Sequence, residues 1–197
     1  MNIVNLGYRS TNYYALPISA GRLLVDCGWY GLMGQFMAQF RRKGLDPAEV
    51  KYVLATHYHM DHAGLVNEFK RLGAKLILME SQTSALVRGE PAMPAKPPLL
   101  ITTSPAGNVL LRFAESRQFL ASLGLAGEIV STPAHSADSV SLVLDDGSAF
   151  TGDLPPRSLI SDDDPALKAS WAELDRCNVM RVYPAHGART LLLPLQP

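Results

Sequence analysis

Short apolar segments, separated by glycine, proline and polar residues, recur along the chain and predict β-strands. The predicted strands fall into two groups, with helical patterns interspersed. MNIVNLG, NYYALPIS and RLLVDCG predict an antiparallel meander, and the Asp146-Gly147 pair predicts a hairpin between two later strands. The remaining strands are predicted at KYVLATH, KLILM, EIVSTPA, SVSLVLDD, SAFTGD and RVYPAHG.

Apolar residues at three- and four-residue spacing predict helices between these strands. The first helix ends at Gly44 after a basic last turn, and Asp46 followed by Pro47 predicts the cap of a short helix. Asp164 followed by Pro165 predicts a later helix start. The predicted helices cover residues 32–43, 46–49, 65–72, 81–88, 113–123 and 164–174.

Elements in this order suggest an α/β or α+β sandwich, in which two β-sheets have helices on their outer sides. The pattern alone does not separate this fold from a doubly wound sheet, although the sequence contains no G-x-G-x-x-G or Walker A phosphate loop. Residues 89–108 are rich in Pro, Ala and Thr, and they predict a long surface loop or flap. Met93 and Pro94 could belong to a flap or to an interface, and the oligomeric state stays open.

Composition narrows the class of protein. The length of 197 residues fits a single domain covering residues 1–197. The 18 basic side chains balance the 18 acidic ones, which argues against nucleic acid and anionic membranes as partners. No signal-peptide pattern opens the sequence, and Cys27 and Cys177 lie far apart, so a reducing, cytoplasmic location is expected.

All five histidines follow strand-like segments, and three of them lie with an aspartate in the stretch THYHMDHAG. His57 and His59, two residues apart on extended backbone, project the same way and can reach one metal ion, whereas Asp61 and His62 follow the turn toward a second ion. Imidazole and carboxylate are ligands that suit zinc. Three more candidate ligands also follow strands: His135, Asp153 and His186.

Four motifs occur in a fixed order: H-x-H-x-D-H, T-P-x-H-S, T-G-D and P-x-H-G. With this set the chain resembles the metallo-β-lactamase-fold hydrolase superfamily, from Asp26 to Gly187. The resemblance implies an αββα sandwich of two mixed β-sheets flanked by helices, with the site at one edge between the sheets.

The resemblance also assigns the metal ligands. Asp153 matches the carboxylate that bridges both metal ions, and Asp61 is a candidate for orienting the nucleophile and moving a proton to the leaving group. Asp26 matches an acidic position that supports the site by orienting a ligand or its loop, with a simple turn residue as the alternative. The first metal would be held by His57, His59 and His135, and the second by Asp61, His62 and His186.

The expected function is hydrolysis of a small ester, thioester, lactone or amide by a metal-bridging hydroxide on two divalent ions. Zinc is favoured because diiron relatives often carry Glu where His59 stands, while iron and manganese stay open. The alternative is a non-hydrolytic metal-binding protein or a diiron redox protein on the same scaffold. The partner is expected to be a small-molecule substrate.

Several departures from the family narrow the substrate. Quorum-quenching lactonases place Tyr where this chain has Pro156, the Cys ligand of some β-lactamases is replaced by Asp153, and the helical domain of glyoxalase II is not found after Gly187. Three residues beside the site are candidate substrate contacts. Arg157 could hold an anionic group or could be an exposed loop arginine. Ser136 could contact substrate or only make turn hydrogen bonds, and Tyr30 could line a pocket or pack against the next helix.

Overall fold

Two β-sheets form the centre of the protein in the computed structural model, which describes residues 1–87 and 99–192. The first sheet has six strands in sequence order. Its first three strands are antiparallel and the remaining pairs are parallel. These strands are β1 (Val4–Asn5), β2 (Tyr14–Ile18), β3 (Gly21–Val25), β4 (Val50–Leu54), β5 (Lys75–Met79) and β6 (Asn108–Leu111).

The second sheet has five strands in the order β11-β10-β9-β8-β7. The pair β9 and β10 is parallel and the other pairs are antiparallel, so this sheet is also mixed. The predicted hairpin at Asp146-Gly147 joins β8 to β9. The strands are β7 (Gly127–Ser131), β8 (Val140–Leu144), β9 (Ser148–Gly152), β10 (Arg181–Pro184) and β11 (Thr190–Leu191).

Within the described residues, four α-helices accompany the sheets, and three of the connections contain a 3-10 turn. Asp164 caps the fourth helix by accepting a hydrogen bond from the Leu167 backbone N–H at 2.9 Å, as its sequence predicts. The helices are α1 (Met33–Arg42), α2 (Val66–Arg71), α3 (Phe113–Ser122) and α4 (Pro165–Arg176), and the 3-10 turns are Pro47–Glu49, Glu80–Ala85 and Arg157–Leu159.

The period-two alternation of side chains in the strands explains the layers. In β3, Leu24 faces a core shared with α1 and α2, whereas Leu23 and Val25 face the core between the sheets. In β8, Leu142 faces the core between the sheets, whereas Val143 packs with α4 on the outer side. The layer order is therefore helices, sheet, sheet, helix, and the predicted αββα sandwich is confirmed.

Aromatic residues consolidate the outer core of the first sheet. Phe36 and Phe40 of α1 and Phe69 of α2 are fully buried, and their rings contact one another. Burying each such side chain contributes about 1.5–3 kcal/mol, so this cluster fixes α1 and α2 on the sheet. Among the described residues, no helix combines the length and apolar character that a membrane crossing requires.

The helix predicted at 81–88 is wrong over its described part. A short 3-10 turn ends at Ala85, and Leu86 then forms a bridge with Thr103 in extended conformation. The buried Gln82 side chain accepts a hydrogen bond from the Met79 backbone N–H at 3.2 Å. Such local bonds between side chain and backbone compete with the hydrogen bonds of a regular helix. Arg88 lies outside the described residues.

The predicted loop at 89–108 is described only from residue 99, and Met93 and Pro94 lie outside the described residues. Its described part packs on the fold: Ile101 and Thr103 are buried, and the Ile101 N–H donates to the Tyr58 carbonyl at 2.7 Å. Asn108 already belongs to β6. Residues 99–107 form no regular helix or strand, and their backbone pairs with the loop that carries His57 and His59.

Candidate metal centre

The loop between β4 and α2 carries four polar side chains that the sequence singled out: His57, His59, Asp61 and His62. Backbone hydrogen bonds shape this loop, since the N–H groups of His62 and Ala63 both donate to the His59 carbonyl. His57 and His62 are fully buried. The turn therefore sends all four side chains toward the same end of the sandwich.

His135, Asp153 and His186 reach this end from the second sheet, where they follow β7, β9 and β10. Strands β7 and β9 both run antiparallel to β8, and β10 runs parallel to β9, so the carboxyl ends of the three strands share one edge. The Val140 N–H donates to the Thr56 carbonyl at 2.8 Å and joins the two sheets beside the site.

The seven side chains form groups with metal-ligand spacing. In the first group, His59 Nδ1 lies 3.0 Å from His57 Nε2 and 3.1 Å from His135 Nε2. In the second, Asp61 Oδ2 lies 3.4 Å from both His62 Nε2 and His186 Nε2. Ligands about 2.0–2.1 Å from a tetrahedral ion are separated by about 3.3 Å, so both groups have the spacing of a coordination shell.

Asp153 lies between the two groups. Its Oδ2 atom is 3.5 Å from His135 Nε2, while its Oδ1 atom is 3.2 Å from His62 Nε2 and 3.3 Å from His186 Nε2. One carboxylate oxygen thus faces each group. This arrangement suits a carboxylate that bridges two ions.

Two buried atoms of the centre have no hydrogen-bond partner among the described residues: His62 Nε2 and Asp153 Oδ1. Buried polar atoms almost always have a hydrogen-bond partner, so these two atoms indicate a bound partner that is not a protein group. The two atoms lie 3.2 Å apart, and the full set of five imidazoles and two carboxylates matches the chemistry that zinc accepts. The residues present therefore fit a divalent metal pair.

The protonation states differ between the two groups. Burial lowers the pKa of His57 far below its usual value, and burial also lowers that of His135, so both imidazoles are neutral at pH 7. Burial would lower the pKa of His62, but the carboxylates around it, Asp26 foremost, raise it well above its usual value. Burial would raise the pKa of Asp61, but the close approach and charge of His62 hold it at about 2. The first group thus offers two neutral imidazoles and Asp61 an ionised carboxylate, the forms that bind metal, whereas His62 must release a proton when metal binds.

Asp26 holds His62 in place from inside the fold. This aspartate is almost fully buried, has a left-handed backbone with φ 56°, and accepts from the Thr56 N–H at 2.7 Å and the Thr56 hydroxyl at 3.0 Å. Its Oδ2 atom lies 3.0 Å from His62 Nδ1. A proton on Nδ1 leaves Nε2 free to face the centre, which is the supporting contact expected of Asp26.

Replacing Asp26 by asparagine is expected to lower the metal affinity of the protein by about 10- to 100-fold, because the amide supports the His62 tautomer less well. Competition with a chromophoric chelator measures the affinity. The control is Asp46→Asn, at a surface turn where asparagine caps equally well. A folded Asp26→Asn protein with unchanged zinc affinity would contradict this role.

Three residues outside the predicted ligand set position the ligand loop. Asp138 accepts from the Tyr58 N–H, between His57 and His59, at 2.9 Å. The buried Gln82 amide donates to the Ala55 carbonyl at 3.0 Å, and Thr56 bonds to Asp26. Thr56 and Asp138 lie beside the sequence motifs whereas Gln82 does not, and all three bond to residues far away along the chain.

The three candidate substrate contacts occupy different surroundings. The Ser136 hydroxyl donates to Asp138 at 2.7 Å, and Tyr30 is half-buried against the aromatic core. Arg157 is paired with Asp175 through both terminal nitrogens, at 2.5 and 2.7 Å. Contact of these side chains with a substrate stays a prediction.

Two cavities border His186. One, of about 580 Å³, also touches His135 and Asp153 and has mostly apolar walls. The other, of about 640 Å³, is polar, and its lining includes three cations that the sequence analysis did not single out: Arg9, Arg42 and Lys43. The centre therefore lies between an apolar cavity and a cationic one.

Comparison with known proteins places the chain in a family. Residues 6–188 match the family model described as the metallo-beta-lactamase superfamily. A probable metallo-hydrolase of Methanocaldococcus jannaschii is 26% identical over 199 residues, covering 92% of this chain and 89% of that protein.

Two further relatives are longer than this chain. A beta-lactamase-like protein 2 homolog of Drosophila melanogaster is 26% identical over 187 residues, and the match covers 91% of this chain. An atrochrysone carboxyl ACP thioesterase of Aspergillus fumigatus is 25% identical over 198 residues, covering 94% of this chain. The chain spans only 59% of the fly protein and 39% of the fungal thioesterase.

Solved structures share the fold. The metallo-beta-lactamase MIM-1 from Novosphingobium pentaromativorans superposes with a TM-score of 0.68 at 24% identity, covering 94% of this chain and 73% of that chain. A metallo-beta-lactamase family protein from Thermus thermophilus superposes with a TM-score of 0.70 at 21% identity, covering 96% and 74%. With its seven motif residues gathered at one edge of this fold, the chain belongs to the metallo-beta-lactamase superfamily.

Proposed function

We propose that this protein is a dinuclear metal-dependent hydrolase, with zinc as its metal and a small ester, thioester, lactone or amide as its substrate. The observation that carries the proposal is the convergence of two ligand groups on either side of Asp153, whose oxygens face one group each. A pair of metal ions held by two adjacent ligand groups activates water for hydrolysis in other enzymes.

The bound metal pair would supply a hydroxide at neutral pH and polarise the substrate carbonyl. The residues of the chain arrange this chemistry. Asp26 orients the His62 ring, and Asp153 presents one carboxylate oxygen to each ligand group. Asp61 presents an ionised carboxylate beside His62 and His186, where it can orient the nucleophile and carry a proton to the leaving group.

The names of the relatives agree with hydrolysis. One is described as a probable metallo-hydrolase and another as an atrochrysone carboxyl ACP thioesterase. The chain spans less than half of that thioesterase, so the shared feature is hydrolysis and not the substrate. The balanced charge of the chain supports a small-molecule substrate rather than nucleic acid, and its two free cysteines support a reducing, cytoplasmic location.

Metal analysis of the purified protein, followed by a substrate panel, tests the proposal. We expect about two zinc ions per chain and hydrolysis of one substrate class among chromogenic esters, thioesters, lactones and amides. Removing the metal with a chelator should abolish turnover, and adding zinc back should restore it. Full metal content with no hydrolysis of any panel member would overturn the proposed function, and iron in place of zinc would favour the redox alternative.

A further inference from the structure

The apolar cavity beside the metal centre has the size and place of a substrate pocket. Its volume of about 580 Å³ lies in the usual range for sites that bind small molecules. His135, Asp153 and His186 contribute to its lining, so an occupant would lie directly against both ligand groups. The cavity continues from the reaction centre toward α4 and β10.

The walls of the cavity are apolar and already in place. Leu154, Trp171 and Val182 are buried in the core that α4 shares with the second sheet, and each also lines the cavity. The Trp171 indole N–H donates to the Pro155 carbonyl at 3.0 Å, which fixes the ring against the loop after β9. A preformed wall binds an apolar group without the cost of ordering it first.

The positively charged side chain that lines this cavity is already paired with a carboxylate of the protein. Arg157 is the one lysine or arginine among the residues that line it, and both of its terminal nitrogens bond to Asp175. Its guanidinium also lies 5.7 Å from the centre of the Trp171 ring. An anionic occupant would have to compete with Asp175, so an uncharged apolar group is favoured.

The second cavity that borders His186 is polar and positively charged. The second cavity is lined by asparagines and by Arg9, Arg42 and Lys43, and no carboxylate pairs with these three cations within residues 1–87 and 99–192. A polar or anionic alcohol or thiol portion of a substrate suits that side. The two sides of the centre thus distinguish an apolar half of the substrate from a polar half.

We propose that the cavity between the loop after β9, α4 and β10 holds an uncharged, apolar acyl chain of the substrate. This inference rests on the proposed function, because it assumes that the centre cleaves an acyl ester or thioester. It narrows the substrate class to esters and thioesters of medium-chain fatty acids, with the leaving group directed toward the cationic cavity.

A series of p-nitrophenyl esters tests this inference on the zinc-loaded protein. Each buried methylene favours binding by about fourfold. We therefore expect kcat/KM to rise from acetate through butyrate and hexanoate to octanoate, by at least about tenfold over the series. A flat series, or one that falls with chain length, would overturn the acyl pocket while leaving hydrolysis established.

Variants that fill the cavity test whether the preference for long acyl chains arises there. Ser158 and Thr190 line the cavity and are exposed, so Ser158→Trp and Thr190→Trp should fold and narrow it. Both are expected to lower the ratio of octanoate to acetate kcat/KM by about tenfold. The matched control Ala38→Trp lies on the exposed face of α1 and should keep the wild-type ratio.

The outcomes separate the two proposals. Retention of the wild-type ratio by both cavity variants would place the chain-length preference elsewhere and overturn the pocket. Failure of the zinc-loaded protein to cleave any ester, thioester, lactone or amide would overturn the proposed function, and this inference with it. Hydrolysis of lactones or amides alone would overturn only this inference. A chain-length preference for the alcohol portion instead of the acyl portion would reverse the assigned orientation and contradict the inference.

Discussion

Replacing Asp153 by alanine is expected to remove bound metal and to reduce turnover by about a thousandfold or more. The carboxylate presents one oxygen to each ligand group, so its loss leaves both groups with fewer candidate ligands. Metal content by atomic emission and kcat on the best panel substrate measure the two effects together. The His59→Ala variant should behave similarly, because His59 Nδ1 is near both His57 and His135.

The control for this prediction is Asp162→Ala. Asp162 is almost fully exposed and pairs with the exposed Lys168, so its removal should leave metal content and turnover unchanged. Circular dichroism establishes that each variant is folded. An Asp153→Ala protein that kept both full metal content and full turnover would show that the centre does not depend on a bridging carboxylate.

The second large effect is expected at Gly64, just after the ligand loop. A Cβ atom at this position would overlap three backbone atoms: Tyr30 N, Met60 O and Gly28 O. Two chain segments pass there, joined by the hydrogen bond from the Tyr30 N–H to the Met60 carbonyl at 2.8 Å. Gly64→Ala is therefore expected to lower the free energy of unfolding by about 3 kcal/mol or more.

Urea unfolding of metal-loaded protein measures this change. Gly34→Ala is the matched control, since Gly34 lies in α1 with open space around its position. There alanine should stabilise the protein by about 0.5–1 kcal/mol through helix propensity. The same substitution is thus expected to act with opposite sign at the two sites, and an unchanged unfolding midpoint for Gly64→Ala would refute the close approach.

The sequence predicts the layers and the candidate ligand residues because both follow local rules. Alternation in segments such as SVSLVLDD assigns one face of a strand to each core, and strand ends mark where His57, His135 and His186 emerge. The strands β6 and β11 were missed, since β6 follows a stretch rich in threonine and proline, and β11 has only two residues. The pairing of β6 with β5 and of β11 with β10 depends on tertiary contacts, which the local sequence pattern does not encode.

Long-range contacts explain what local rules could not provide. The helix predicted at 81–88 fails because Gln82 turns inward to bond with backbone groups of β5 and the ligand loop. Arg157 appeared available for an anion, yet Asp175, eighteen residues later and one residue before the end of α4, is its partner. Such pairings form only when the helices and sheets pack, so the character of the apolar cavity could not be predicted from the motifs.

The distribution of the ligands over both sheets has a consequence for folding. His57 and His62 follow a strand of the first sheet, whereas His135 and His186 follow strands of the second. An ion held by residues from both would act as a cross-link, tying together segments that lie far apart along the chain much as a disulfide does. The free energy of metal binding is then also free energy of folding, so the abundance of the protein in a cell would depend on its metal supply.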